Sequence, residues 1–224
     1  MRTSVCFGAR AARRIAGLGV PFAVVLAAQL VCAPRPAAGQ VPDIVRVEED
    51  WELVIGTPDP DSTAPQVSCT MSPTANLTGL YATLELNFQS QPDFVAGGLQ
   101  LQLWHGERAG TSHKFPQSTV LAQPGETVRW TQTMTLQNSI LTFEVVNGQS
   151  VTWGEFGGQG YLRGHSYSGL TNLNAYDPEV SVDNSGVGYA ANRVVSLQLK
   201  AVRLVTADGQ VLEDRTLRQV HPRD

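Results

Sequence analysis

Strict period-two alternation is the feature that most constrains this fold. In Tyr81 to Phe88, Ala82, Leu84, Leu86 and Phe88 share one face, while Tyr81, Thr83, Glu85 and Asn87 share the other. Leu99, Leu101 and Leu103 alternate with Gln100, Gln102 and Trp104. Val128, Trp130, Met134 and Leu136 oppose Arg129, Thr131, Thr133 and Thr135. Leu141, Phe143 and Val145 oppose Thr142, Glu144 and Val146. Successive side chains of a strand point to opposite faces, so this pattern describes half-buried antiparallel strands. Turn chemistry agrees. Asn147-Gly148 reads as a hairpin turn, Ala207-Asp208-Gly209-Gln210 as another, and Pro124-Gly125 as a third. No window of ten or more residues beyond the first forty combines helical spacing with caps. The expected fold is an all-β, antiparallel two-sheet sandwich of jelly-roll type.

The first forty residues read as an address. Arg2, Arg10, Arg13 and Arg14 precede an apolar run from Ile15 to Val31, followed by Ala37-Ala38-Gly39. This three-part pattern is that of a secretory signal peptide, assigned to residues 1–39. The apolar run is short for a spanning helix and is interrupted by Gly17, Gly19, Pro21 and Gln29. A retained anchor, a lipoprotein cysteine at Cys32 and a twin-arginine signal at Arg13-Arg14 fit the residues less well. Residues 40–66 are read as an acidic N-terminal strand and a Pro- and Asp-rich loop, and residues 67–224 as the sandwich. The chain is expected to be secreted, or periplasmic within a cell envelope, with no membrane span after cleavage.

Beyond residue 39 the chain carries eleven basic and twenty acidic side chains, a formal charge of −9. Such a surface disfavours nucleic acid and anionic membranes, which need a basic footprint. Cys69 is the one cysteine left after cleavage, so stability must come from the core, and the thiol is expected to be a small buried hydrophobe.

The segment Glu126-Thr-Val-Arg-Trp130, followed by Leu141-Thr-Phe-Glu-Val-Val-Asn-Gly148, resembles a hairpin of the concanavalin A-like jelly rolls of laminin-G and legume-lectin type. The resemblance covers residues 126–148. It implies Val195 to Val202 as a late core strand, and binding to glycans or extracellular proteins; a fold by itself does not fix a function.

The richest candidate site is the stretch from Gly148 to Gly169. Its glycines permit positive φ and close backbone approach. Its aromatics offer flat faces for sugars or apolar partners. Trp153, Phe156, Tyr161, His165 and Tyr167 are therefore expected to form a ligand surface, with Trp104, which falls on a polar strand face, nearby. The alternative is a long loop whose aromatics fold back over the core. No phosphate-loop, G-x-G-x-x-G, H-E-x-x-H or G-x-S-x-G motif occurs, and His105 and His113 do not have zinc-site spacing. A carboxylate enzyme would draw on Glu85 and Glu144, both on polar strand faces. Asn172, Asn174, Asp177, Glu179, Asp183 and Asn184 crowd one loop region. Hard oxygen ligands suit Ca²⁺, so Asp177, Asp183 and Asn184 are the metal candidates, against ordinary Asx turns. No other cofactor is expected.

These features favour a non-catalytic module for an extracellular glycan or matrix component. The alternatives are an envelope assembly protein that lends its acidic N-terminal strand to a neighbour, and a jelly-roll glycosidase or lyase.

Overall fold

The computed structural model describes residues 42–57, 64–90, 95–96, 98–115 and 119–223. The expected signal peptide and residues 58–63 of the Pro- and Asp-rich loop lie outside the described residues. Among the described residues no helix is long and apolar enough to cross a membrane.

The strands in chain order are β1 (Ile44–Ile55), β2 (Gln66–Met71), β3 (Leu80–Leu86), β4 (Gln89–Ser90), β5 (Val95–Ala96), β6 (Leu99–His105), β7 (Arg108–Phe115), β8 (Thr127–Gln137), β9 (Ile140–Ser150), β10 (Gly154–Phe156), β11 (Arg163–Tyr167), β12 (Gly186–Tyr189), β13 (Val194–Thr206), β14 (Val211–Asp214) and β15 (Arg218–His221). Among the described residues one short α-helix, α1 (Pro178–Asp183), lies between β11 and β12, and a 3-10 turn (Ala191–Arg193) lies between β12 and β13. The larger sheet runs β10-β9-β8-β1-β13-β14, with β11 also on β9 and β15 also on β13. The smaller runs β12-β2-β3-β6-β7. All of the pairings are antiparallel, and the two sheets pack as a sandwich.

Alternation builds the core as the sequence leads one to expect. Ala82, Leu84 and Leu86 of β3 face inward, as do Leu99, Leu101 and Leu103 of β6. From the other sheet Val128, Trp130, Met134, Leu141, Phe143 and Val145 meet them. The alternation of β3 stops at Asn87, whose φ of 53° turns the chain. Its buried amide donates to the carbonyls of Pro65 and Leu121 and accepts from the Leu121 N–H. Cys69 is fully buried, and burial pushes its thiol up.

The N-terminal strand differs from expectation. The sequence suggests an acidic N-terminal strand, outside the sandwich, that could be lent to a neighbour; the structure has a twelve-residue strand, Ile44–Ile55, inside the sheet. They pair with β13 on one side and β8 on the other. β1 is thus the centre of the larger sheet and has no free edge to lend to a neighbour.

A second correction concerns a turn. Asn147-Gly148 lies inside β9 rather than at its end. Arg129 pairs with Gln149 and Thr131 with Val146, so Asn147 and Gly148 together oppose Trp130. That is a β-bulge, and Asn147 carries the positive φ, 55°. The β8–β9 hairpin turns instead at Asn138-Ser139, with φ of 51° and 60°, the two-residue geometry that twists with its strands. The Asp208-Gly209 turn stands where expected, between β13 and β14, with Gly209 at φ 85°.

Candidate functional site

The outward face of β1 carries Glu48, Asp50 and Glu52 at every second position, while Val47, Glu49, Trp51, Leu53 and Ile55 point inward. Each outward carboxylate meets a cation from a neighbouring strand. Arg203 of β13 donates from Nε to Glu48, 2.7 Å, and from both Nη atoms to Asp50, 2.5 and 2.8 Å. Thr131 of β8 adds a hydroxyl to Asp50, 2.8 Å. Glu52 holds two cations: Arg129 at 2.7 and 2.8 Å on one oxygen, and Lys200 at 3.3 Å on the other. Desolvation raises Asp50 and Glu52, but the hydrogen bonds and charges of these partners outweigh it and hold both carboxyls below the usual range.

Beside this ladder the sheet is hollowed where the bulge falls. Asp50, Glu52, Arg129, Thr131, Asn147, Gln149 and Lys200 line a hollow of about 400 Å³. Beneath it Trp51 and Trp130, cross-strand partners, stack with centroids 6.3 Å apart and planes 6° from parallel. Asn147 and Gln149 also line a second hollow of about 270 Å³, completed by Glu155, Gly157, Gly158 and Gln159. The two hollows adjoin at the bulge, where Asn147 and Gln149 line both, and are taken together as the candidate groove. Extra residues in a strand re-aim side chains, and bulges often border functional sites.

The glycine-rich stretch shapes this groove by folding back. Trp153 and Phe156 are buried in the core and meet edge to face, 6.2 Å apart; Trp153 donates its indole N–H to the Thr119 carbonyl, 2.7 Å. A Cβ on Gly148 would lie 2.3 Å from the Phe156 ring, so the glycine admits the ring under β9. Tyr161 stacks on Phe115 at 4.1 Å and accepts the Gly157 N–H, 2.6 Å. Gly157 sits at φ 79°, where a Cβ would meet the Val145 carbonyl oxygen at 2.4 Å. The turn before β10 is pinned by Glu126, a buried carboxylate that accepts from the Ser150 hydroxyl, the Thr152 N–H and the Thr152 hydroxyl.

The expected exposed aromatic surface is therefore corrected at Trp153 and Phe156: both are buried in the core, Phe156 meeting the second hollow only as part of its wall. Trp104 is half-buried and parallel to Tyr81 at 6.3 Å, on the outward face of the smaller sheet. His165 is exposed on β11, opposite Thr142, and Tyr167 is exposed at the strand end. The stretch contributes to the groove through its glycines, Glu155 and Gln159 instead.

Glu85 and Glu144 do not face one another. Glu85 lies on the outward side of the smaller sheet, where Gln100 donates to it, and Glu144 on the outward side of the larger, beside Arg163 at 3.8 Å. The expected calcium ligands act as helix and turn caps. Asp177 is the N-cap of α1 and accepts the Glu179 N–H, Asn184 donates to the Val180 carbonyl, and Asp183 is exposed on the last turn. Asn172 and Asn174 both donate to Asp43. Among the described residues no group of three His, Cys, Asp or Glu side chains is placed to hold a metal.

A second buried carboxylate, Glu49, sits on the inward face of β1. Glu49 is fully buried; Trp51 donates to one of its oxygens, 3.0 Å, while Tyr176 and Ser181 donate to the other, 2.8 and 2.5 Å. Desolvation raises it to about 7 against these three donors. It ties α1 and the preceding loop to the central strand.

The spacing Glu48-x-Asp50-x-Glu52 was available in the sequence. Read as the charge run Glu48-Glu49-Asp50 it hides; read with strand parity it places three carboxylates on one face. No family model, no curated protein and no solved structure matches the chain.

Proposed function

We propose that this is an exported, non-catalytic module that binds an extracellular glycan in the groove over the β9 bulge. The observation that carries the reading is the pair of adjoining hollows at the bulge, with Asn147 and Gln149 in the lining of both. Its lining mixes carboxylate, amide, hydroxyl and guanidinium groups. That mixture suits a polyhydroxylated ligand, whose hydroxyls both donate and accept. A rigid strand scaffold holds these groups, which keeps the ordering cost of binding low.

The triad Glu48, Asp50 and Glu52 raises a hydrolytic reading, because glycosidases work with paired carboxyls. One of such a pair must carry a proton at working pH, through a raised pKa. Asp50 and Glu52 are held low by their cations, which favours recognition over hydrolysis. Asn147→Gly and Gln149→Ala test the binding reading. Glycine keeps the positive φ at 147 and removes the side chain with its amide. Each variant is expected to weaken retention on the polysaccharide that the parent binds, with an unchanged urea midpoint. Full retention in both would refute the groove.

A further inference from the structure

We infer that Glu52 sets the ligand class of this groove: it bars anionic glycans and leaves neutral ones. The inference rests on the groove being the glycan site. Two cations, Arg129 and Lys200, line the larger hollow. Unpaired, they would draw uronate or sulfate groups, since guanidinium and ammonium donors bind anionic oxygens strongly. Both are instead turned onto one carboxylate. Arg129 gives Glu52 Oε2 two of its donors, and Lys200 reaches Oε1 while its other contact is the Gln198 side-chain oxygen. An anionic sugar entering here would have to displace Glu52 from its partners, or sit beside Glu52 and Asp50 as a third negative charge. A neutral sugar meets neither cost, because hydroxyls can accept from the spare guanidinium donors and donate to the carboxylates.

The geometry also shows why one residue suffices. Asp50 is held by Arg203, a cation outside the hollow's lining, so removing its charge frees nothing inside. Glu52 is the shared partner of both lining cations. Their side chains are 61% and 41% exposed, so both stay hydrated when it is removed, and the fold does not depend on the pair.

The test is affinity chromatography of the full protein on polygalacturonate and on a neutral polysaccharide panel, at low and high salt. Glu52→Gln is expected to bind polygalacturonate about fivefold or more tightly than the parent, with the gain screened away near ~1 M salt. Glu52→Gln combined with Arg129→Gln and Lys200→Gln is expected to lose that gain. Glu107→Gln, an equal change of net charge in the exposed β6–β7 turn, is expected to show none, and Glu52→Asp is expected to stay with the parent. The inference is overturned if the parent already binds polygalacturonate as well as any neutral polymer. It is equally overturned if Glu52→Gln gains nothing, or if Glu107→Gln gains as much. If the parent binds no neutral polymer, the proposed neutral-glycan site fails and the inference is overturned with it; a gain by Glu52→Gln would then show only that Glu52 masks the charge of Arg129 and Lys200.

Discussion

Replacing Glu49 by Gln removes a fully buried carboxylate without changing the size of the side chain. The side chain is fully buried and receives three hydrogen bonds, yet desolvation still lifts it from 4.5 to about 7. The folded state therefore holds this proton more tightly than the unfolded chain. The resulting stability is fully present below about pH 4.5 and is lost as pH rises through about 7. At ~1.4 kcal/mol per pH unit, the whole span corresponds to about 3 kcal/mol, of which most falls between about pH 5 and 8. Other carboxylates such as Asp50 and Glu52 are shifted the opposite way, but the parent and the variant share them, so the difference between the two isolates Glu49. Gln mimics the protonated form and does not titrate; its amide can still pair with Trp51, Tyr176 and Ser181. Urea unfolding of both proteins at several pH values across this range, with the m-value checked for constancy, reads the difference. The parent is expected to fall by about 2–3 kcal/mol relative to Glu49→Gln on going from pH 5 to 8. Parallel profiles would refute the argument, and a parent that gains on the variant with rising pH would show that the three donors hold Glu49 ionised throughout.

Two further outcomes follow from burial. Trp153→Ala is expected to cost about 3–5 kcal/mol, because the indole is core and its N–H holds the Thr119 carbonyl; a thermal melt at the parent's Tm would restore it to the surface. Cys69 is expected to resist thiol reagents in native buffer and to react fully in denaturant, since its thiol is both buried and raised; labelling of the folded protein would contradict its placement.

The core was legible in the sequence because it follows one rule, parity along each strand, and parity needs no knowledge of neighbours. Leu84, Leu101, Val128 and Phe143 could be placed inside from their own segments. What escaped depends on pairing partners. Asn147-Gly148 has the composition of a turn, but whether it bends a strand or ends it depends on how many residues β8 sets against it. Trp153 and Phe156 look like ligand aromatics until Gly148 is seen to make room for the ring. Asp177 and Asn184 look like cation ligands until α1 supplies the N–H and carbonyl groups that they cap. Even the strand beginning at Ile44 was obscured, because Arg46, Glu48, Asp50 and Glu52 put four charges on its outward face, and only β8 and β13 on either side explain how so many charges fit on one central strand.

That last point bears on function. A central strand with three outward carboxylates would repel itself unless its neighbours carried cations at matching register, and they do: Arg203 opposite Glu48, and Arg129 opposite Glu52. Cross-strand pairing of opposite charge stabilises a sheet face modestly, but it also fixes the direction in which every donor and acceptor points. Catalysis by carboxyl pairs needs the reverse, two neighbouring acids with their pKa values driven apart. Here the cations bring Asp50 and Glu52 down together. The proposed recognition of hydroxyl groups thus draws on the same ladder that makes the charged face compatible with a central strand.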